Sequence, residues 1–354
     1  MKNVFKFLTL VLVFGFLTTS CSSDDDHSVN PPVSLGAYEN GIFVSAEGGT
    51  LSGSVSYISN DFSTTENNVF FNVNSEDLGT YVQSMGFNNN NAYIVVDSNI
   101  IHVVDRNTFE KEGAISTGLM LPRFIAFAGG KGYVTNWGDP TDPSDDYIAV
   151  VDLSTHAVTN TIPVGEGPEQ IISVGNKLYV SHKGGYNSNN IVSVINISDS
   201  AVTTITVNDV PNNMIINSLG QLVVLCEGNA AWTGNETSAS ISKIDLSSNT
   251  VVQTLSFADG VHPSGMDYAN GKVYYQSNNE VFELNDSASS LPSTSFINLG
   301  AISTYGMAVK DDKLYVTDAK DFVSLSDLVV FDLNTKSIIN TFEVGLIASK
   351  IYFN

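Results

Sequence analysis

The sequence predicts an all-β protein, a seven-bladed β-propeller, because one strand motif recurs seven times with further short strands between the copies. The clear copies occupy residues 131–135, 177–181, 272–276 and 313–317, and weaker ones occupy 41–45, 92–96 and 221–225. Their central residues are separated by 50, 40, 46, 44, 51 and 41 residues. A period of this size, with several strands per unit and no helix longer than one turn after residue 20, is typical of propellers.

Each repeat contains further strands whose order predicts how the ring closes. A second strand follows the motif, as at 149–153 and 329–333, and a third follows that, as at 158–165. The innermost strand of the next blade comes next, as at 170–174, 213–217 and 306–310. The chain ends on such a strand, at 349–353. We therefore expect the C-terminal strand to complete the first blade and remove an open edge.

The N-terminus predicts export and a lipid anchor. Lys2 and Lys6 precede an apolar run over residues 7–17, too short to span a bilayer, so residues 1–20 are interpreted as a signal peptide. Cys21 after a small residue resembles the acylated cysteine of bacterial lipoproteins, although Thr18 stands where leucine is usual. The alternative is an ordinary cleaved signal. Residues 21–39 are assigned to the anchored cysteine, an acidic tract and a linker, and residues 40–354 to the propeller.

Composition limits the partners and the redox chemistry. The net charge of −22 disfavours nucleic acid and anionic lipid head groups. With Cys21 assigned to lipid, Cys226 has no partner for a disulfide, and its apolar strand predicts a buried thiol. The acidic tract at 22–26 resembles the signal that directs lipoproteins of Bacteroidota to the outer face of the outer membrane. A solvated acidic tether is the alternative.

Two segments carry a resemblance to a known family. Residues 148–155 (Ile-Ala-Val-Val-Asp-Leu-Ser-Thr) and 161–170 (Thr-Ile-Pro-Val-Gly-Glu-Gly-Pro-Glu-Gln) resemble the repeat of YncE-like seven-bladed propellers, over roughly residues 40–354. Among lipid-anchored members of Bacteroidota, the chain is similar to the surface vitamin B12-binding, BtuG-like proteins. That similarity implies a corrinoid ligand and a TonB-dependent outer-membrane transporter that receives it. The repeat is more specific for the fold than for the function.

Long polar loops predict a ligand site on one face of the ring. Trp137, Tyr186 and Trp232 lie in corresponding loops, at 136–146, 182–190 and 227–236. Aromatic rings there offer flat apolar area to a planar or sugar-like ligand, or they cap the blades. Loops on the same face add further candidates, and the predicted ligand-binding set is Trp137, Tyr186, Trp232, His182, Arg123, Gln170, Tyr81, Asn212, His262 and Tyr305.

The roles of three members of this set stay open at the level of sequence. The Arg123 guanidinium is suited to a phosphate or amide group, or to an ion pair with a neighbouring acid. His182 and His262 either meet a ligand or form hydrogen bonds within loops. Short matches at residues 199–201 and 286–288 resemble O-glycosylation acceptors, with Ser200 and Ser287 as the modified residues.

The sequence lacks the usual enzyme motifs, and we predict neither a cofactor nor a metal site. No nucleophile elbow, zinc helix or phosphate-binding loop occurs. Four carboxylates that follow repeated strands keep a propeller hydrolase as an alternative: Glu47, Asp97, Glu227 and Asp318. The four aspartates within residues 139–146 suggest a calcium-binding loop, although the preference of aspartate for turns explains their presence there equally well. A protein-binding or adhesion scaffold and a glycan-binding surface protein are further alternatives.

Overall fold

The computed structural model describes residues 34–49 and 51–354, and these residues form seven four-stranded antiparallel sheets. The predicted signal peptide, Cys21 and the acidic tract lie outside the described residues. Each sheet is one blade. Its strands are numbered along the chain, and in each blade below the innermost strand is given first. The seven-bladed propeller predicted from the repeat is confirmed.

Blades 1 to 4 contain strands of two to seven residues. Blade 1 consists of β28 (Ala348–Phe353), β1 (Gly41–Ala46), β2 (Ser54–Ser59) and β3 (Thr65–Glu66). Blade 2 consists of β4 (Val82–Asn88), β5 (Asn91–Val96), β6 (Ile100–Asp105) and β7 (Lys111–Ile115). Blade 3 consists of β8 (Pro122–Ala128), β9 (Lys131–Asn136), β10 (Tyr147–Asp152) and β11 (Ala157–Pro163). Blade 4 consists of β12 (Pro168–Val174), β13 (Lys177–His182), β14 (Ile191–Asn196) and β15 (Val202–Thr206).

Blades 5 to 7 follow the same order. Blade 5 consists of β16 (Pro211–Ile216), β17 (Gln221–Cys226), β18 (Ser240–Asp245) and β19 (Thr250–Ser256). Blade 6 consists of β20 (Gly265–Ala269), β21 (Lys272–Ser277), β22 (Glu280–Asn285) and β23 (Ile297–Asn298). Blade 7 consists of β24 (Thr304–Lys310), β25 (Lys313–Asp318), β26 (Leu325–Asp332) and β27 (Ser337–Leu346). A six-residue helix α1 (Val69–Asn74) and a 3-10 turn (Ala231–Thr233) complete the elements.

The core lies between the blades, because the middle strands of each sheet bury side chains on both faces. One cluster joins Tyr133 and Ile148 of blade 3 to Leu178 and Val180 of blade 4, all nearly inaccessible to solvent. Equivalent clusters fill the other junctions. Full burial of one such side chain contributes about 1.5–3 kcal/mol, so no blade is stable without its neighbours. Cys226 belongs to one of these clusters, and burial raises the pKa of its thiol to about 12. This confirms the predicted buried thiol.

The C-terminal strand closes the ring, as the strand order predicts. β28 pairs antiparallel with β1, with Ile42 opposite Phe353. The N–H of Met85 in blade 2 donates to the Tyr352 hydroxyl over 2.7 Å. Asn354 then donates its side-chain amide to the carbonyl oxygens of Tyr38 and Arg106, at 2.7 and 3.1 Å. The last residues of the chain therefore bond to blade 1 and to blade 2.

Helix α1 departs from the expectation of no helix longer than one turn. It follows the two-residue strand β3 and covers the part of the outer edge of blade 1 that β3 leaves unpaired. Val69 and Phe70 are buried, and the Phe70 ring lies 4.9 Å from that of His102, whereas Phe71 is exposed. The three consecutive apolar residues 69–71 do not show the alternation of apolar and polar residues that a half-buried strand requires. This explains why the segment forms a helix and not a longer outer strand. Among the described residues, no helix is long and apolar enough to span a bilayer.

Deletion of residues 348–354 is expected to unfold the whole ring rather than blade 1 alone. It removes the innermost strand of blade 1 and the bonds of Asn354 to blades 1 and 2. Thermal unfolding followed by circular dichroism measures the effect. Asn354→Ala provides the graded comparison, and each lost hydrogen bond is expected to cost about 1 kcal/mol. An unchanged melting temperature in the deletion variant would contradict closure by this strand.

Candidate functional site

The long loops lie at one end of the ring, here named the upper face. It is the end at which β1, β5, β9, β13, β17, β21 and β25 finish and the innermost strands begin. The loops 137–146, 183–190 and 227–239, which follow β9, β13 and β17, all belong to it. Most of the exposed large apolar side chains belong to it as well, namely Leu51, Phe71, Tyr81, Met120, Tyr186, Trp232, Tyr305, Phe322, Val323 and Leu325.

Bulges at the start of the innermost strands direct polar side chains into the channel. Pairing shifts between Pro122 and Ile125 in β8, and the shift recurs at the start of β12 and β16. A bulge leaves residues unpaired and turns their side chains, and proline is tolerated because no ladder N–H is needed there. The turned residues include Arg123 in β8, Glu169 in β12 and Asn212 in β16.

The channel holds a cavity of about 500 Å³ that residues of all seven innermost strands line. Its mouth is charged, with Glu47, Arg123, Glu169, Lys183, Glu227 and Lys350. Further along the same strands the lining is apolar, with Met85, Ile125, Ile171, Met214, Met266, Met307 and Ile351. These apolar side chains also close the inner ends of the clusters between blades. The cavity therefore has a polar entrance above an apolar ring.

Arg123 and Glu169 form the central ion pair of the mouth. The Arg123 Nε and Nη2 atoms donate to both Glu169 carboxylate oxygens, at 3.2 and 2.9 Å. Burial disfavours both charges, but each group compensates the other, so the pKa of Arg123 is raised and that of Glu169 is lowered. The guanidinium also lies 4.0 Å from the Trp137 ring centroid. Of the two interpretations of Arg123, its contacts match the ion pair with a neighbouring acid.

A second, looser pair lies beside the first. Lys183 Nζ is 3.2 Å from Glu227 Oε2, and Asn212 donates its amide to the other oxygen of Glu227 over 2.6 Å. Gln170, the neighbour of Glu169, accepts from the N–H of Met214. Asn212 and Gln170, both predicted ligand residues, thus line the cavity; the Gln170 side chain also connects blade 4 to blade 5, whereas the Asn212 side chain bonds within blade 5.

Blades 1 and 7 contribute a tyrosine and a carboxylate to the mouth. The Tyr305 hydroxyl donates to Glu47 Oε1 over 3.0 Å, and its ring meets Phe322 edge-on at 5.4 Å. Burial raises the pKa of Glu47. Tyr81 is exposed nearby, and its N–H donates to the Glu47 carbonyl oxygen over 2.9 Å. Three aromatic rings and one acid therefore border this side of the mouth.

The structure brings together two of the three predicted loop aromatics. Trp137 and Tyr186 meet edge-on at 5.7 Å, and the Trp137 indole donates to the Pro168 carbonyl oxygen over 3.0 Å. The Tyr186 side chain is 69% exposed, so its second face is free for a partner. Trp232 is on the 3-10 turn and is 88% exposed, with no ring contact to the other described aromatic residues.

The two histidines of the predicted set hold loops in place. His182 is fully buried, with Nε2 2.8 Å from the Ser193 hydroxyl and Nδ1 3.2 Å from the Glu166 carbonyl oxygen. Burial lowers its pKa to about 4, so the ring is neutral and has no surface open to a ligand. His262 lies 2.8 Å from the Glu227 carbonyl oxygen and 3.2 Å from a Glu236 carboxylate oxygen. Its ring therefore connects the first residue of the loop 227–239 to a residue near the end of that loop.

The acidic loop 139–146 is organised by its own hydrogen bonds. Asp139 and Asp142 each accept the N–H and hydroxyl of a residue two positions on, as turn-forming aspartates do. Asp146 is buried and accepts the N–H of Gly167. The described residues contain no group of three or more His, Cys, Asp or Glu side chains placed to hold a metal ion.

Some contributors to the site were not predicted from the sequence, chiefly Lys350 and Phe322. Lys350 occupies the third position of β28, the position that Gln170 occupies in β12. An alignment of the innermost strands of all blades would have found it. Phe322 carries no comparable signal, because its loop has a different length from the others. The candidate glycosylation residues are Ser287, which is exposed, and Ser200, which is half-buried, and modification there stays a prediction.

Together the architecture and this mouth define a seven-bladed propeller that presents a loop-lined polar cavity on one face. Residues 40–282 match the family described as Domain of unknown function (DUF5074), and the chain belongs to that family. A search of curated proteins found no match.

Comparison with solved structures supports the fold. Hydrazine synthase of Kuenenia stuttgartiensis is similar at 19% identity and a TM-score of 0.54, over 75% of this chain and 89% of that one. The computationally designed Ika8 protein is similar at 10% identity and a TM-score of 0.58, over 89% of this chain and 88% of that one. The dihydro-heme d1 dehydrogenase NirN in complex with DHE is similar at 10% identity and a TM-score of 0.57, over 90% of this chain and 75% of that one. Identities this low support the shared propeller fold alone.

Glu169→Gln is expected to destabilise the protein by about 2 kcal/mol, because a largely buried guanidinium loses its carboxylate. Glu227→Gln is the matched control. It changes the more exposed pair with Lys183, for which less than about 1 kcal/mol is expected. Chemical denaturation measures both, and tryptophan fluorescence should change more in Glu169→Gln because Arg123 contacts Trp137. Equal losses in the two variants would contradict a central role for the Arg123 pair.

Stability is expected to fall as the pH rises from 5 to 8. Burial raises the pKa of Asp146 to about 7 and that of Asp267 to about 6. Their stabilising effect is therefore complete below about pH 4 and is lost as the pH passes through the folded-state values. Asp61 and Asp152, whose serine hydrogen bonds lower their pKa to about 2, keep their contribution over this range.

Melting temperatures between pH 5 and 8 test this dependence. Asp146→Asn should make stability less dependent on pH. The free energy of unfolding lost between pH 5 and 8 should be smaller in the variant by an amount on the order of 2–4 kcal/mol. Because the net charge of −22 also disfavours the fold at high pH, the difference between the variant and the parent is the decisive quantity. Parallel profiles for the two proteins would exclude Asp146 as the source.

Proposed function

We propose that this chain is a ligand-binding propeller whose ligand covers the channel mouth on the upper face. The observation that carries the proposal is the concentration of exposed aromatic and aliphatic side chains around a polar cavity. Tyr186 and Trp232 are mostly exposed, and Tyr305 and Phe322 border the mouth. Exposed apolar area gathered on one face of a soluble ring is typical of a binding surface.

The proposed ligand class is a corrinoid, of which vitamin B12 is the test case. The resemblance of the chain to the BtuG-like members among YncE-like propellers supports this choice, as does the mixture of flat rings and amide groups at the mouth. A large amphiphilic ligand would stack on Tyr186 or Trp232 and receive hydrogen bonds from side chains such as Asn212. The cavity of about 500 Å³ would then accommodate one edge of the ligand rather than the whole of it.

The proposed setting is the outer face of the outer membrane. Acylation of Cys21 would anchor the protein, and a TonB-dependent transporter would receive the ligand. These steps follow from the N-terminal sequence and from the family resemblance. The proposal includes no catalysis. Enzymes occur among the similar propellers, but their low identity carries no activity over to this chain.

Titration of the purified protein with cyanocobalamin tests the proposal. Saturable binding should quench tryptophan fluorescence, and calorimetry supplies the affinity. Tyr186→Ala and Trp232→Ala are each expected to weaken binding about tenfold or more, the effect of losing a stacking ring. Val252→Ala, an equally simple truncation of an exposed residue on the outer strand β19, is the control and should change nothing. No binding at micromolar ligand would reject the corrinoid.

A protein-binding scaffold is the second candidate, and one observation favours it. A groove of about 470 Å³ lies at the junction of blades 1 and 7, with Leu51, Phe71 and Leu325 on its lining. These side chains are exposed although they are apolar. If cyanocobalamin does not bind, pull-down of an outer-membrane partner with the parent protein, compared with Phe71→Ser, is the next experiment. Loss of that partner in the variant would support the scaffold.

A further inference from the structure

We infer that Lys350 forms a subsite in the channel mouth for one singly charged oxyanion. The group would be a carboxylate or a phosphodiester carried by the ligand. This inference rests on the proposed ligand-binding function and names the chemical group that the mouth selects.

Lys350 differs from Arg123 and Lys183 because, among the described residues, no carboxylate oxygen lies within 4 Å of its Nζ. Arg123 and Lys183 each contact a carboxylate within 4 Å. The Lys350 side chain makes neither a hydrogen bond nor an ion pair with the described residues, and its Nζ lies 5.9 Å from the Phe124 ring centroid. The side chain is half-buried and lines the cavity. An ammonium group in such a position has lost part of its hydration without receiving a partner in return.

The balance of charge around Lys350 indicates an anion of single charge. Arg123 neutralises Glu169, and Lys183 neutralises Glu227. Glu47, the remaining acid of the mouth, already accepts a hydrogen bond from Tyr305. Glu47 and Glu169 act on Lys350 through space and would also repel an incoming anion, so a singly charged group meets less repulsion beside the ammonium than a doubly charged one.

The electrostatic environment of the two unpaired groups supports the same conclusion. Burial lowers the pKa of Lys350, although Glu169 and Glu47 oppose the shift. Burial also raises the pKa of Glu47. Both shifts show that the mouth disfavours an isolated charge, so an incoming anion would relieve the cost on Lys350.

Two buried hydroxyl groups without hydrogen-bond partners in the described part of the chain belong to residues that line the same cavity. Ser349 precedes Lys350 in β28 and is 2% exposed, and Thr304 begins the neighbouring strand β24. The Oγ of Ser349 and the Oγ1 of Thr304 are buried and have no hydrogen-bond partner among the described residues. Both residues line the same cavity as Lys350. Because both oxygen atoms are closed to solvent, either hydroxyl would donate to an oxyanion at Lys350 only after rotation of its side chain.

Binding of small anions to the purified protein tests the subsite directly. Acetate and dimethyl phosphate represent the two candidate groups, and each is titrated at constant ionic strength against chloride. The inference expects a saturable rise in melting temperature with at least one of them, and the stronger anion identifies the group. Lys350→Met should weaken this binding tenfold or more, and Lys350→Arg should restore most of it.

The matched control is Lys310→Met. Lys310 also belongs to an innermost strand, β24, and its Nζ lies over a ring, 4.8 Å from the Phe353 centroid, but at the opposite end of the strand from the mouth. It should leave anion binding unchanged. An equal response in the parent, Lys350→Met and Lys310→Met proteins would overturn the subsite.

Cyanocobalamin, which carries a phosphodiester, separates this inference from the proposed function. If it binds the parent and Lys350→Met equally well, the ligand proposal stands and the subsite is rejected. If the small anions bind through Lys350 and cyanocobalamin does not, the subsite stands and the corrinoid is rejected.

Discussion

The pairing of β28 with β1 is the interaction on which the rest of the structure depends. Each blade is a sheet whose two faces are buried only by its neighbours, so the first and last blades of an open array would expose apolar surface and strand edges. Placing the last strand of the chain inside the first blade removes that exposed edge. Asn354 extends the closure to blade 2. The same strand places Lys350 in the channel mouth, so the pairing that closes the ring also positions a residue of the candidate site.

The mouth combines order with incomplete satisfaction of its polar groups. Bulged innermost strands place polar side chains where regular pairing would have placed apolar ones. Most of these groups are matched, as Arg123 is by Glu169 in a two-bonded pair. A few are not, and buried polar atoms without partners are costly unless something else contacts them. Polar groups left without partners among the described residues at the entrance of the cavity are consistent with the proposed ligand-binding function.

The candidate site was partly accessible from sequence. Arg123, Asn212 and Tyr305 were found because they follow turn positions that the repeat defines, and all three line the cavity. The histidine at position 182 was predicted to begin a loop on the same face, yet it is the last residue of β13 and is fully buried. Position in the repeat identifies the blade and the end of the strand, but the orientation of a side chain at a bulge depends on its neighbours in the next blade. Phe322 was missed for a related reason, because its loop has no counterpart of equal length.

The sequence by itself determined the number of blades, the strand order and the closing strand, because alternation of apolar residues and a regular period are local properties. It also determined the acidic charge and correctly predicted the burial of Cys226. Only the tertiary structure decided which charges meet, that Trp137 and Tyr186 touch while Trp232 lies apart, and that no carboxylate of the described residues lies within 4 Å of the Lys350 ammonium. Those contacts join residues from different blades, and a distance across the channel depends on how seven sheets pack rather than on any one segment.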